Sequence, residues 1–311
     1  MKNELGKLYK IAIKIALKRT RLKHINGDYH FALGLKHAFE RKGHSVIIQN
    51  LPEWNNGEDL SCDIIIVLRG FQCYYPKKDH LNILWNISHP DRVSIKEYNQ
   101  YDYVLISSEE WTNQIRSKIS VPVEVMHQCT DPELFKPHQD QIEEFYHELL
   151  FVGNTRGIFR QIIKDLLPTD KNLAVYGKGW SRYISPKYRK GMSISNHDLY
   201  KYYSSCEILL NDHYKDMRQK GFINNRIFDG LASEAFIISD DVHGIEKILE
   251  DTVVTYKTPQ ELKELIEYYL KRPDLRKSIA AKGGSIVKSE HTFAHRVDRF
   301  LQIFAEIYAD N

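Results

Sequence analysis

The sequence predicts two doubly wound α/β domains, each a parallel sheet with helices on both faces. Three observations predict it. Short apolar runs alternate with amphipathic stretches along the whole chain. The length, 311 residues, suits two domains of ordinary size. An apolar content of 42% supplies a core for each. In such sheets ligands gather where the strands end, at their carboxyl edges.

The first domain is expected over residues 1–138. Residues 9–17 (YKIAIKIAL) alternate with Ile11, Ile13, Ile15 and Leu17 on one side, and read as the first strand. A polar loop over 19–28 ends in Asn26-Gly27-Asp28. The spacing of Phe31, Leu35, Ala38 and Phe39 predicts a helix over 29–42, which Gly43 ends. Further strands are expected over 44–49, 63–68, 81–87 and 103–107, with a helical connection over 109–118. Pro132 and Pro137 mark a turn-rich exit, and 139–147 reads as a polar linker.

The second domain is expected over 139–290. Strands are read over 148–152, 173–176, 207–210, 236–238 and 253–256. Helices are read over 158–167, 195–204, 259–271, 273–288 and 291–308. The last carries Phe293, Val297, Phe300, Leu301 and Phe304 on one stripe.

The totals narrow the function. Lys and Arg exceed Asp and Glu by 44 to 41, so nothing global points to nucleic acid. Cys62, Cys73, Cys129 and Cys206 are scattered without a C-x-x-C pair, which argues against a disulfide framework or a zinc site. The opening residues lack a cleavage signature, and no apolar span reaches about 20 residues. A cytoplasmic protein is expected. The first residues carry Lys2, Lys7, Lys10, Lys14, Lys18, Arg19, Arg21 and Lys23 against Glu4. Such a run is usually a solvated face; it also suits peripheral contact with the anionic inner face of a membrane.

The chain is organised around 221–241, GFINNRIFDGLASEAFIISDD: a loop, a helix, a tight turn and a buried strand. Asn224 or Asn225 is placed to cap the helix. Arg226 and Asp229 share one helical face. A helix N-terminus beside a basic fork suits a diphosphate, and a carboxylate one turn later suits a ribose diol. The same two residues would also serve as a surface ion pair worth under about 1 kcal/mol.

Five segments then carry a resemblance: FVGNTRGIFR, VYGKGW, YYSSCEILLND, GFINNRIFDGLAS with FIISD, and HTFAHRVDRFL, in that order. They resemble the C-terminal half of the CgeB-like glycosyltransferases of the spore maturation protein type, a GT-B branch near retaining family 4. The likeness is strong over about 148–305. It is looser in the first half, through GDYHFALGLKHAFERKGH, ILWNISHPD and CTDPELFKP. It implies a GT-B fold: two Rossmann-like domains facing each other across a cleft, with residues 291–311 as a final helix crossing back to the first. It also implies a nucleoside-diphosphate sugar as donor substrate, a hydroxyl acceptor, and no required metal or other cofactor.

By that resemblance Asp229 stands at the second acid of a Glu-x7-Glu motif, the ribose ligand. The first acid's place is Gly221, so half of the motif is missing. Arg156 or Arg160 and Lys178 match the diphosphate-binding cations. His89 matches a histidine facing the donor sugar, and Gly27 the glycine of the first loop. Gly153 and Asn154 belong to a glycine-punctuated strand-to-helix loop, an anion cradle or an ordinary turn. Asp28 and His30 flank the first loop's tyrosine as candidate acceptor bases; Asp28 would also cap its helix, and Asp91 is a lesser candidate. Asp212 and His213 follow a strand end and either line a site or close a turn. Trp180 is expected in the core.

The reading is a glycosyltransferase, retaining by kinship and acting in surface polysaccharide or other glycan synthesis. Three alternatives remain beside it. They are a non-catalytic nucleotide-sugar-binding protein, a GT-B nucleotide-sugar epimerase, and a transferase acting on modified DNA, which the near-neutral charge disfavours.

Overall fold

A computed structural model describes residues 7–18, 26–138 and 143–309. The chain divides into two compact units. The first comprises residues 1–129, 220–222 and 291–311; the second comprises 130–219 and 223–290. The turn-rich stretch around Pro132 therefore groups with the second unit. Residues 19–25 of the first loop, residues 139–142 of the expected linker, and Lys2, Glu4, Arg19, Arg21 and Lys23 lie outside the described residues.

In the first unit six strands form one parallel sheet: β1 (Lys10–Lys14), β2 (Ser45–Gln49), β3 (Ile64–Arg69), β4 (Leu81–Asn86), β5 (Tyr103–Ile106) and β6 (Val123–Val125). Their spatial order is β2-β1-β3-β4-β5-β6. The direction of winding reverses between β1 and β3, so the carboxyl ends of those strands form the switch point of this unit. Helices α1 (Gly27–Arg41), α2 (Ile95–Tyr98) and α3 (Glu109–Ile115) lie between these strands in the chain.

Helix α1 starts two residues before the sequence expectation because Asn26 caps it, its side chain accepting from the Tyr29 N–H at 2.9 Å. Asp28 is thus a first-turn residue and not the cap. The alternation expected of β1 does not separate a wet face from a dry one, because Ile11, Ala12, Ile13 and Lys14 are all fully buried. Lys14 is therefore no part of a basic surface. Its ammonium donates to Asp59 Oδ2 at 2.7 Å, to the Trp54 carbonyl at 3.2 Å and to Gln49 Oε1. Three acceptors satisfy the buried ammonium, as burial of a charge requires.

The second unit also holds a six-stranded parallel sheet: β7 (His147–Val152), β8 (Leu173–Tyr176), β9 (Arg189–Gly191), β10 (Cys206–Asn211), β11 (Ile237–Asp240) and β12 (Val253–Tyr256). The order is β12-β11-β10-β7-β8-β9, so winding reverses between β7 and β10. Helices α4 (Gln161–Leu166), α5 (Leu199–Ser205), α6 (Lys215–Gln219), α7 (Asn225–Ala232), α8 (Ile245–Leu249), α9 (Pro259–Leu270) and α10 (Pro273–Glu290) complete it. Helix α4 begins at Gln161, later than expected, because Ile158 N–H bonds to the Thr155 carbonyl and turns the chain first.

The last helix, α11 (Phe293–Ala309), groups with the first unit. Its stripe of Phe293, Val297, Phe300, Ile303 and Phe304 joins one core with Phe31, Phe39 and Trp85. Leu301 lies at the edge of that core, not within it. Phe300 packs 5.7 Å from both Phe39 and Trp85, ring centre to ring centre. Each such buried aromatic contributes about 1.5–3 kcal/mol relative to exposure.

Candidate functional site

Eight of the expected site residues belong to the second unit, at the carboxyl edge of its sheet beside the β7/β10 switch point. Two loops approach closely there. A Cβ at Gly177 would overlap the Gly153 carbonyl, and Gly177 has φ +144°, a conformation that suits glycine. Lys178 N–H donates to Asn154 Oδ1 at 2.7 Å, and Thr155 N–H donates to the Lys178 carbonyl at 3.0 Å. Asn154 thus ties the β7 loop to the β8 loop. Trp180 is buried as expected and donates its indole N–H to the Gly153 carbonyl at 2.8 Å.

Three arginines converge on this edge. Arg160 is buried against Asp212, its Nε donating to Oδ2 at 3.1 Å while Nη2 reaches Oδ1. Its Nη1 donates to the Asn154 carbonyl at 3.1 Å. Arg160 is therefore neutralised and works as scaffold. Asp212 holds that arginine and does more than close a turn. Arg226 donates from Nη1 to Asn211 Oδ1 at 2.6 Å and lies over the Phe151 ring. Arg156 sits at φ +58° with its guanidinium 3.8 Å from the centre of the Tyr214 ring. Among the described residues neither Arg156 nor Arg226 is ion-paired with a carboxylate. Arg156 is an exposed loop residue, yet desolvation of its guanidinium against the protein, and then the charges of Arg160 and Arg226, lower it to about 10. It stays protonated, and the mutual repulsion marks a place short of negative charge.

Helix α7 opens into the same edge. Asn224 occupies the cap position without capping. Its carboxamide instead donates to Asn211 Oδ1 at 3.1 Å and to the Asp212 carbonyl at 3.0 Å. Asn225 does not cap either; its Nδ2 donates to Asp229 Oδ2, and its Oδ1 is buried without a partner. Among the described residues the N-cap side chain makes no bond to this N-terminus. Asp229 faces Thr130, whose hydroxyl donates to Oδ1 at 2.6 Å. Burial pushes the Asp229 carboxyl up to about 8 despite hydrogen bonds from Thr130 and Asn225. The simple Arg226–Asp229 surface pair is thus replaced by separate partners for each.

The remaining candidates belong to the first unit. Gly27, Asp28 and His30 form the first turn of α1. His89 follows β4 at φ +53°, 5% exposed, with its ring centre 4.0 Å from that of Phe71. Asp91 is engaged by the Lys220 ammonium. Gly221, at the place of the missing first acid, has φ +70°.

Sequence reasoning missed Asn211, Thr130 and Tyr203, the last lying beside the Arg226 guanidinium. All three stand inside the quoted motifs, at or near element ends, where a polar residue after an apolar run was the available signal. Among the described residues no three His, Cys, Asp or Glu side chains are grouped to hold a metal ion, and no helix is long and apolar enough to cross a membrane.

Residues 155–302 match the family model described as glycosyl transferase-like. The spore protein CgeB of Bacillus subtilis is 28% identical over 180 residues, covering 52% of this chain and 53% of that protein. The chain is similar to CgeB over that stretch and has the GT-B fold. It spans about half the length of that curated relative. Sucrose-phosphate synthase from Thermosynechococcus elongatus has the same fold at a TM-score of 0.73 and 11% identity, covering 97% of this chain and all of that one. A glycosyltransferase involved in avilamycin A biosynthesis follows at 0.65 and 12% identity, over 97% and 99%. An α-glucosyltransferase in complex with UDP-glucose and DNA is similar at 0.65 and 12% identity, over 96% and 100%. Residues 155–302 include α7 and all three arginines of the cluster.

Proposed function

We propose that this CgeB-like chain transfers a sugar from a nucleoside-diphosphate sugar to a hydroxyl acceptor, in surface polysaccharide or other glycan synthesis. One observation carries the reading. Two guanidiniums without carboxylate partners, Arg156 and Arg226, share a strand-edge loop cluster with an uncapped helix N-terminus. Fixed positive groups and N–H dipoles of this kind stabilise the charge that builds on a departing diphosphate. Lys178, exposed on the β8 loop, adds a further cation. No step of this scheme calls on a metal, and the CgeB-like kinship favours retention at the anomeric carbon.

In this reading Asp229 accepts from the ribose hydroxyls. His89 meets the sugar, and Asp28 or His30 takes the acceptor proton. The relatives support a nucleotide-sugar donor, because one of them is bound to UDP-glucose. That neighbour also holds DNA, but a net charge of +3 gives this chain no strong overall attraction for a polyanion.

A thermal-shift screen of UDP-, GDP-, dTDP- and CMP-sugars tests the donor, since a ligand of the native state raises the melting temperature. Failure of every nucleotide sugar to do so sinks the proposal. Gly221 in place of the first acid favours a second reading, a binding protein without chemistry. Donor that binds but is neither hydrolysed nor transferred would establish that reading instead.

A further inference from the structure

A buried histidine behind α7 holds a role that the donor reading leaves unassigned. The inference rests on that reading of α7 as a diphosphate grip. A backbone N–H can only donate, and the Asn224 N–H lies 3.1 Å from His213 Nε2. Nε2 therefore presents a lone pair, and the ring proton resides on Nδ1. Nδ1 in turn donates to Asp240 Oδ1 at 2.6 Å. Asp240 also accepts the His213 backbone N–H on Oδ2 at 3.0 Å and the Ser239 hydroxyl on Oδ1 at 3.1 Å. The His213 side chain is 0% exposed and that of Asp240 4%. Both residues stand at strand ends: His213 lies two residues past β10, and Asp240 is the last residue of β11.

Asn224 is the residue on which α7 begins. Its carboxamide is pulled away from the helix to Asn211 and Asp212, and Asn211 Oδ1 also receives Arg226 Nη1. The cap position is thereby vacated, and the arginine is aimed by the same acceptor. The bond from its N–H to His213 holds the Asn224 backbone, while the two carboxamide bonds hold its side chain.

We propose that His213 is a positioning residue for the donor diphosphate. Held in one tautomer by Asp240, it anchors Asn224 so that the first-turn N–H groups of α7 stay open to the phosphates. A leucine there would fill the space but strand a buried N–H, and the cap residue would be released to close its own helix.

The test uses the whole chain and inorganic pyrophosphate, a probe without base or sugar. Isothermal titration is run on wild type, His213→Leu, His213→Gln and Asp240→Asn. His213→Leu is expected to weaken pyrophosphate about tenfold, the size of one lost amide hydrogen bond. His213→Gln recovers most of this because its carbonyl can accept from Asn224. Asp240→Asn, which offers Nδ1 a donor and so turns the ring, falls between them. Nitrogen-15 spectra of the wild type should show His213 with a protonated Nδ1 and a bare Nε2. A proton on Nε2 overturns the proposal, and this readout stands even where the leucine variant fails to fold. Equal pyrophosphate affinity in wild type and His213→Leu also overturns it while leaving the donor reading intact. A wild type that binds neither pyrophosphate nor any nucleotide sugar removes the donor reading itself.

Discussion

Arg226 Nη1 lies 2.6 Å from Asn211 Oδ1, a neutral partner where a carboxylate would have cancelled the charge. The protein thus holds a guanidinium in a place that also repels it, beside Arg156 and Arg160. Removing it should separate stability from function. In Arg226→Ala the affinity for a nucleoside diphosphate should fall by about tenfold to a hundredfold. The melting temperature should stay level or rise as the repulsion is relieved. A parallel loss of both would show that Arg226 is structural.

Gly153 tests the same arginine by crowding. A Cβ there would stand 2.9 Å from Arg226 Nη2, 3.2 Å from Cε1 of the buried Phe151 ring and 3.5 Å from Arg160 Nη1. The Arg226 end can swing away by giving up its bond to Asn211, whereas Arg160 is pinned by Asp212. Gly153→Ala should therefore fold, melting a few degrees lower as the buried Phe151 ring yields, with nucleotide affinity reduced about tenfold. Calorimetric titration beside a melting curve checks both halves.

Asp229 gives a pH dependence with a defined sign. Its folded value, about 8, lies above the ordinary 3.8. The native state therefore favours the protonated carboxyl. Its contribution to stability is full below about pH 4 and is lost as the pH climbs through about 8. Binding runs the other way, since a ribose diol donates best to a carboxylate. Affinity for a nucleotide sugar, whose diphosphate does not titrate here, should rise between about pH 6 and pH 8.5. Asp229→Asn should flatten both slopes, as melting curves and titrations across that range would show.

His147 opposes this from the acid side. It is buried in β7 with neither ring nitrogen partnered among the described residues. Burial, with the charge of Lys190 as a smaller cause, lowers it from 6.5. Folding therefore requires the neutral ring. Stability holds above about pH 6.5 and declines as the pH falls below it. His147→Leu should raise the melting temperature near pH 5 by a few degrees and change it little near pH 8.

Much of this architecture was legible from apolar runs. Strands β8 and β12 match their sequence readings residue for residue, and β3, β4 and β5 fall within a residue of theirs. Buried parallel strands are apolar on both faces, which is a strong local signal. Strand β9, Arg189–Gly191, was not legible, because a three-residue edge strand of two cations and a glycine has no apolar pattern. In the candidate site the residue types were readable and their partners were not. Arg160 and Asp212 stand 52 positions apart, and only the fold decides that this arginine, and not Arg156 or Arg226, is spent on an acid. The same holds for Asn224, whose cap-like position predicted one hydrogen bond and whose neighbours impose others.

Helix α11 has a consequence for biogenesis. The first unit's core needs Phe293, Val297, Phe300, Ile303 and Phe304, yet the ribosome makes these after every residue of the second unit. The usual order of amino-terminal maturation is therefore inverted. The later-made sheet can close as soon as α10 emerges, while the earlier-made one waits, with Phe31, Phe39 and Trp85 lacking their lining, for the final five helical turns. A nascent chain stalled before residue 291 should engage chaperones through its oldest segment, not its newest.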